Sequence, residues 1–285
     1  MTRLGASMAL ALALCACGDD DGSDVCAGRN GPAGTREVTI ESAGIQRTFV
    51  LTVPDSALHG EPVPLVMVFH GVFADGATIQ AVTGFPEKAA EQGFITVAGD
   101  GIGQSWNAGL CCEPAMEMDV DDVGFAREIV AAVEAEYCVD ERRVFATGFS
   151  NGSAMAFRLA CEASDLFTAF APVGGSLALA ECAPSQPRPI EIINNIDDPI
   201  VPFVLGEAFS FPAALEWNGC GEERTTEHPA STTSCSAAIC ADDHRTAFCG
   251  VAGISHVWPG GATDPDGEFR ATDHVWSFFA AAVPD

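Results

Sequence analysis

The chain has 285 residues, 48% of them hydrophobic, enough to bury one large core. Thirteen Lys+Arg against 40 Asp+Glu give a formal charge of -27, with Lys88 as the sole lysine, and so exclude nucleic acid or anionic lipid as a docking partner, since both demand a basic surface. Twelve cysteines are too many for an ordinary cytosolic enzyme.

Residues 1–17, MTRLGASMALALALCAC, carry one Arg and then an apolar run too short for a stable membrane span, the pattern of a signal peptide. Leu14-Cys15-Ala16-Cys17 places Leu three residues and a small residue one residue before Cys17, as a bacterial lipoprotein signal requires. Cys17 is therefore the expected lipidation site, with plain secretion and removal of both cysteines as the rival. Residues 18–35 begin with GDDDGSD and read as an acidic flexible tether, their aspartates lacking the spacing of a calcium loop. The catalytic domain is expected over 36–285. The ten cysteines from Cys26 onward are an even number in an exported chain, which favours disulfides; Cys161–Cys182 and Cys235–Cys240 are the short-range candidates. No Cys/His cluster with zinc spacing is present in the sequence.

Residues 37–53 alternate apolar and polar around Ser-Ala-Gly, an antiparallel hairpin. Pro64–His70 is a continuous apolar run, expected of a strand covered on both faces. A helix over Ile79–Gln92 and a strand over Phe94–Ala98 follow. Asp119–Tyr137 is amphipathic, with Asp119, Asp121 and Asp122 in a first turn where carboxylates favour the helix dipole. Further strands are expected at Val144–Phe149, Phe167–Pro172, Ile190–Asn194 and Arg245–Cys249, and a closing helix at Asp273–Val283. Strands alternating with helices give an α/β fold with a mostly parallel central sheet and helices on both faces.

Gly148-Phe149-Ser150-Asn151-Gly152 matches G-x-S-x-G between a β-type run (143–147) and a helix-forming run (Ser153–Glu162). Strand, tight turn and helix are the geometry that holds a serine in strained exposure, with glycines where neighbouring Cβ atoms would clash. The nucleophile needs a base. His59 and His228 lie in proline-flanked loops, His274 in the closing helix, and His70 ends a buried strand upstream of the serine. His244 and His256 remain. His256 follows a Gly-containing loop and precedes Trp258-Pro259-Gly260-Gly261, a turn suited to presenting one ring, and is the expected base. The acid belongs after a strand between serine and histidine, where Asp197 and Asp198 both qualify.

Read together, His70-Gly71, Ser105–Gly109 with Cys111-Cys112, Asp121–Phe125, Gly148–Gly152, Asp198–Pro202 and His256–Gly260 resemble the secreted esterases grouped with polyhydroxybutyrate depolymerases and feruloyl or acetylxylan esterases. These are a branch of the α/β-hydrolase fold. The resemblance spans roughly residues 36–283. It implies Asp198, immediately before Pro199, as the acid, and an oxyanion hole from the backbone N–H groups of Val72 and Asn151. Two departures stand out. Asn194-Asn195 occupies a position where the family often has His-Gly, and Ser255 one where it often has Gly.

These readings make Ser150 the nucleophile of an exported serine esterase that needs no cofactor or metal and takes small or oligomeric esters. Feruloyl or acetyl esters of plant walls are the first expectation and short polyhydroxyalkanoate chains the alternative; a non-catalytic surface-binding lipoprotein on a hydrolase scaffold is the reading of another class. The membrane enters only through a lipid at Cys17. Trp106 and Trp258 are the expected substrate-binding aromatics, with loop or core packing as the blander role for Trp106. Trp276 is expected in the core.

Overall fold

Runs rich in Val, Ile and Phe build one ten-stranded sheet in the computed structural model, which describes residues 26–240 and 243–283. The expected signal at 1–17, with Cys15 and Cys17, and residues 18–25 of the expected tether lie outside the described residues. The strands are β1 Gly34–Ser42, β2 Ile45–Val53, β3 Val63–Phe69, β4 Ile95–Gly99, β5 Val139–Phe149, β6 Ala169–Val173, β7 Ile190–Asn195, β8 Thr225–Ala230, β9 Thr233–Ile239 and β10 Arg245–Val251. Their spatial order is β1-β2-β4-β3-β5-β6-β7-β10-β9-β8. The six from β4 to β10 along that order run parallel; β1, β2, β8 and β9 join antiparallel at the two edges.

Side chains alternate between two cores, as the pleat demands. On one face Leu65, Met67 and Phe69 of β3 meet Phe125, Ile129 and Val133 of helix α3 (Asp122–Glu136) and Met155, Phe157 and Leu159 of α4 (Asn151–Glu162). On the other, Val66 and Val68 meet Ile79 of α1 (Gly76–Thr83), Phe85 and Ala89 of α2 (Phe85–Gln92), and Val275 and Phe279 of α7 (Ala271–Ala282). Buried on both faces, the parallel strands read as unbroken apolar runs.

Three expectations about elements need correction. The single helix over Ile79–Gln92 is two, α1 and α2, because Gly84 sits at φ 72° and ends the first while Pro86 opens the second. Helical turns at α5 (Phe203–Leu205) and α6 (Phe211–Trp217), joined by a π-turn at Gly206–Ser210, and the β8–β9 hairpin have no counterpart in the sequence reading. The tether does not extend to residue 35. Cys26 is disulfide-bonded to Cys138, Gly31 N–H donates to the Glu136 carbonyl, and Tyr137 Oη donates to the Pro32 carbonyl, so the segment from Cys26 onward is fastened to the domain.

Among the described residues, five disulfides use all ten cysteines: Cys26–Cys138, Cys111–Cys112, Cys161–Cys182, Cys220–Cys240 and Cys235–Cys249. Cys161–Cys182 agrees with expectation; Cys235–Cys240 does not. Cys235 and Cys249 are register partners on the antiparallel strands β9 and β10, and that long-range pairing overrides closeness in sequence.

Candidate active site

The parallel strands end along one edge of the sheet, and the chemistry gathers where they stop. Ser150 follows β5 and precedes α4, at φ 57° and ψ −118°, a strained backbone for a residue with a Cβ. The turn is locked by close packing. A Cβ on Gly148 would fall 2.4 Å from the Gly152 carbonyl oxygen, and one on Gly152 would fall 2.1 Å from that of Phe69. Only glycine fits either place, which is the physical content of the G-x-S-x-G spacing. Ser150 N–H is held by the Val173 carbonyl at 3.0 Å, and the Ser150 carbonyl accepts Ala154 N–H to start α4.

Three loops converge on that serine. His256 Nε2 lies 2.9 Å from Ser150 Oγ, and His256 Nδ1 lies 2.6 Å from Asp198 Oδ2. Ionised Asp198 can only accept, so Nδ1–H donates to it and Nε2 is left to accept the Ser150 hydroxyl. Asp198 Oδ1 accepts Ile200 N–H and Val201 N–H at 2.8 and 2.9 Å, which orients the carboxylate. The Asp198 side chain is 1% exposed and that of His256 17%, so the imidazole forms the open end of the chain. Asp197 points elsewhere, to Gly253 N–H at 2.8 Å on the loop leading to His256. Of the two aspartates that the sequence offered, Asp198 is the one that faces the imidazole.

Asn151 N–H is the first donor of α4 and has no acceptor within the helix. The Gly71–Val72 turn lies against the serine: a Cβ on Gly71 would be 3.3 Å from Ser150 Cβ. His70 holds that turn. Its Nε2 accepts Gly101 N–H at 2.9 Å, leaving Nδ1–H to donate to the Gly71 carbonyl at 2.7 Å. Burial pushes the His70 imidazole below its ordinary pKa, in keeping with the neutral form these two bonds require.

Trp106 and Trp258 do not line the site, contrary to expectation. Both are fully buried, so neither offers a ring face to a substrate. Trp106 Nε1 donates to the His70 carbonyl and its ring packs on Phe69 and His70; Trp258 Nε1 donates to Thr272 Oγ1 beneath Phe85 and Phe149. Trp276 stacks on Phe94 at 4.2 Å. The Ser105–Gly109 segment is framework throughout. Asn151 Oδ1 accepts Trp106 N–H and Asn151 Nδ2 donates to its carbonyl, while Asn107 N–H donates to Asp122. Asp122 is thus no simple helix-start charge. It is buried against Arg47 at 2.8 Å, and Asp121 is the residue that caps α3, through Gly124 N–H.

Further features lie on the segments that follow β3, β4 and β7. The Cys111–Cys112 disulfide lies beside Asn151, Sγ of Cys111 being 3.8 Å from Asn151 Nδ2. Phe73 directly follows Val72, is 86% exposed, and holds φ 63°. Leu110, Ile200 and Phe209 are likewise more than 60% exposed, on segments that leave β4 and β7. Elsewhere in the fold, Glu191, Cys235, Cys249 and His274 bring donor atoms within 4.8 Å of one another, but the two sulfurs are bonded to each other and Glu191 pairs with Arg245 and His274.

No protein-family profile matches the chain. It is 31% identical over 258 residues to NocK of Nocardia uniformis subsp. tsuyamanensis, which carries an esterase name; 79% of this chain and 74% of that one are covered. It is 29% identical over 269 residues to feruloyl esterase C of Emericella nidulans, covering 90% and 93%. Feruloyl esterase B of Piromyces equi is 26% identical over 234 residues, and there the chain spans only 42% of the relative's length. Among solved structures, an acetyl xylan esterase from Aspergillus awamori superposes with a TM-score of 0.65 at 15% identity, over 87% of this chain and 99% of that one. An S-formylglutathione hydrolase from Agrobacterium tumefaciens gives 0.60 at 14% identity, over 90% and 99%. These two likenesses concern the fold.

Proposed function

Because the chain belongs to the α/β-hydrolase esterases of the feruloyl esterase type, we propose that it is an exported serine esterase that cleaves feruloyl- or acetyl-type esters through an acyl-enzyme. The observation that carries this reading is the unbroken line from Ser150 Oγ through His256 to Asp198, at 2.9 and 2.6 Å. His256 Nε2 takes the hydroxyl proton as Ser150 Oγ bonds to the ester carbonyl carbon, and Asp198 stabilises the imidazolium that results. The carbonyl oxygen becomes an oxyanion facing the N–H groups of Val72 and Asn151, each worth about 3 kcal/mol to the transition state. Collapse breaks the ester C–O bond, and the departing alkoxide takes the proton from His256. Water, losing a proton to the same nitrogen, then hydrolyses the acyl-serine and restores the hydroxyl.

Export is supported by five disulfides, which form and persist chiefly in oxidising compartments. Within that reading, lipidation at Cys17 anchors the enzyme at the cell surface, with the acidic residues after it as spacer. Mass spectrometry of the mature N-terminus tests the anchor: a diacylated Cys17 supports it, and an unmodified start beyond residue 17 sinks it.

The exposed apolar side chains of Phe73, Leu110, Ile200 and Phe209 favour a second reading, a depolymerase of short polyhydroxybutyrate-type chains. Initial rates on p-nitrophenyl acetate, p-nitrophenyl butyrate, methyl ferulate and 3-hydroxybutyrate oligomers separate the two. Methyl ferulate as the best substrate by kcat/KM supports the first reading; the oligomers as best support the second. No turnover of any of the four overturns both.

A further inference from the structure

We infer that Asn195 is a positioning residue for His256, acting through the backbone on both sides of the imidazole. Asn195 ends β7 and is fully buried. Its amide nitrogen donates to the Ser255 carbonyl at 2.6 Å and to the Val257 carbonyl at 2.9 Å. The two acceptors flank His256 in the chain, so one planar amide grips the peptide on either side of it. The orientation of that amide is chemically unambiguous: turned over, its oxygen would face two carbonyl oxygens. Its Oδ1 is buried with no hydrogen-bond partner, so these two donations alone set its orientation. An amide buried with its acceptor unsatisfied costs stability, and its retention calls for a role.

The same residue reaches the acid. The Asn195 carbonyl accepts Asp198 N–H at 3.4 Å, at the start of the turn that carries the carboxylate. Asp198 and His256 lie on different loops, after β7 and β10, which are parallel neighbours in the sheet. Asn195 is therefore bonded to both, and it sets how far the imidazole stands from the carboxylate on one side and from Ser150 on the other. A proton transfer across 2.9 Å is sensitive to that placement, an error of about 1 Å in a catalytic group costing on the order of a hundredfold in rate. The side chain touches neither substrate nor the reacting atoms.

The inference rests on Ser150, Asp198 and His256 being the catalytic residues, and the test separates the two. Full-length, disulfide-intact wild type, Asn195→Ala and Asn195→Leu are compared on p-nitrophenyl acetate. Both variants are expected to lose roughly 10- to 100-fold in kcat with KM within about threefold. The proton NMR resonance of His256 Nδ1–H should shift or broaden in both, and the circular dichroism spectrum should stay that of the wild type. A folded variant that keeps kcat within threefold, or loses it with that resonance unchanged, overturns the positioning role. So does failure of both variants to fold, which would make the amide a requirement of the core alone. Inactivity of the wild type instead refutes the esterase reading, on which this one depends.

Discussion

Asp197 and Asp198 are adjacent in the chain and serve different loops: Asp198 Oδ2 accepts His256 Nδ1–H at 2.6 Å, while Asp197 Oδ2 accepts Gly253 N–H at 2.8 Å. One residue of displacement separates the group that faces the imidazole from one that braces a loop. Asp198→Asn is expected to lower kcat by up to about 10⁴-fold, because an amide can hold the histidine in the wrong tautomer. Asp197→Asn should stay within about tenfold. Steady-state rates on p-nitrophenyl acetate decide, and a larger loss at Asp197 would move the acid.

Ser150→Ala and His256→Ala serve one proton transfer and should not add. Each alone is expected to cost 10⁴-fold or more in kcat, and the double variant about as much as either single one. Losses that multiply would mean that the two side chains act in separate steps.

All ten cysteines from Cys26 onward being paired, the denatured, unreduced mature protein should yield almost no free thiol on titration; eight or more would contradict the pairing. The bridges also differ in the chain length they close. Cys26–Cys138 spans 112 residues and Cys161–Cys182 spans 21, which loop-closure entropy converts to about 4.8 and about 3.3 kcal/mol. Removing the first as a Cys→Ala pair should therefore lower unfolding free energy by more than removing the second, measured by guanidinium titration with the other bridges intact.

Burial lowers the His70 pKa, so the unfolded chain binds a proton there at a pH where the folded chain does not. Stability from this group is full above the unfolded value, about 6.5, and declines as pH falls below it, by at most about 1.4 kcal/mol per pH unit. His70→Gln should flatten the decline in unfolding free energy between pH 7 and 5. An identical slope in the two proteins would show that His70 does not titrate across unfolding.

The parallel strands were legible because they are buried on both faces and read as unbroken apolar runs, and Ser150 because its flanking glycines mark a turn no other residue fits. His256 was reachable by excluding four histidines on position and preferring, over His244, the one that precedes a constrained Trp-Pro-Gly-Gly turn. The roles of Trp106 and Trp258 were not. A tryptophan in a glycine-rich loop reads the same whether its ring faces solvent or, as here, the underside of β3 or Phe149. The side-chain contacts of Asn151 and Asn195 were equally opaque, since each reaches a loop that only the fold brings near: Trp106 for one, Ser255 and Val257 for the other. The β8–β9 hairpin escaped because Thr225–Ala230 is exposed along most of its length and carries no apolar alternation.

The most direct test of the account is covalent capture of the nucleophile. Wild type and Ser150→Ala are incubated with a fluorophosphonate, assayed on p-nitrophenyl acetate and mapped by peptide mass spectrometry. The account predicts one adduct, on Ser150, forming in step with loss of hydrolysis, and neither adduct nor activity in Ser150→Ala. Labelling of a different serine, or hydrolysis that survives in Ser150→Ala, would contradict it.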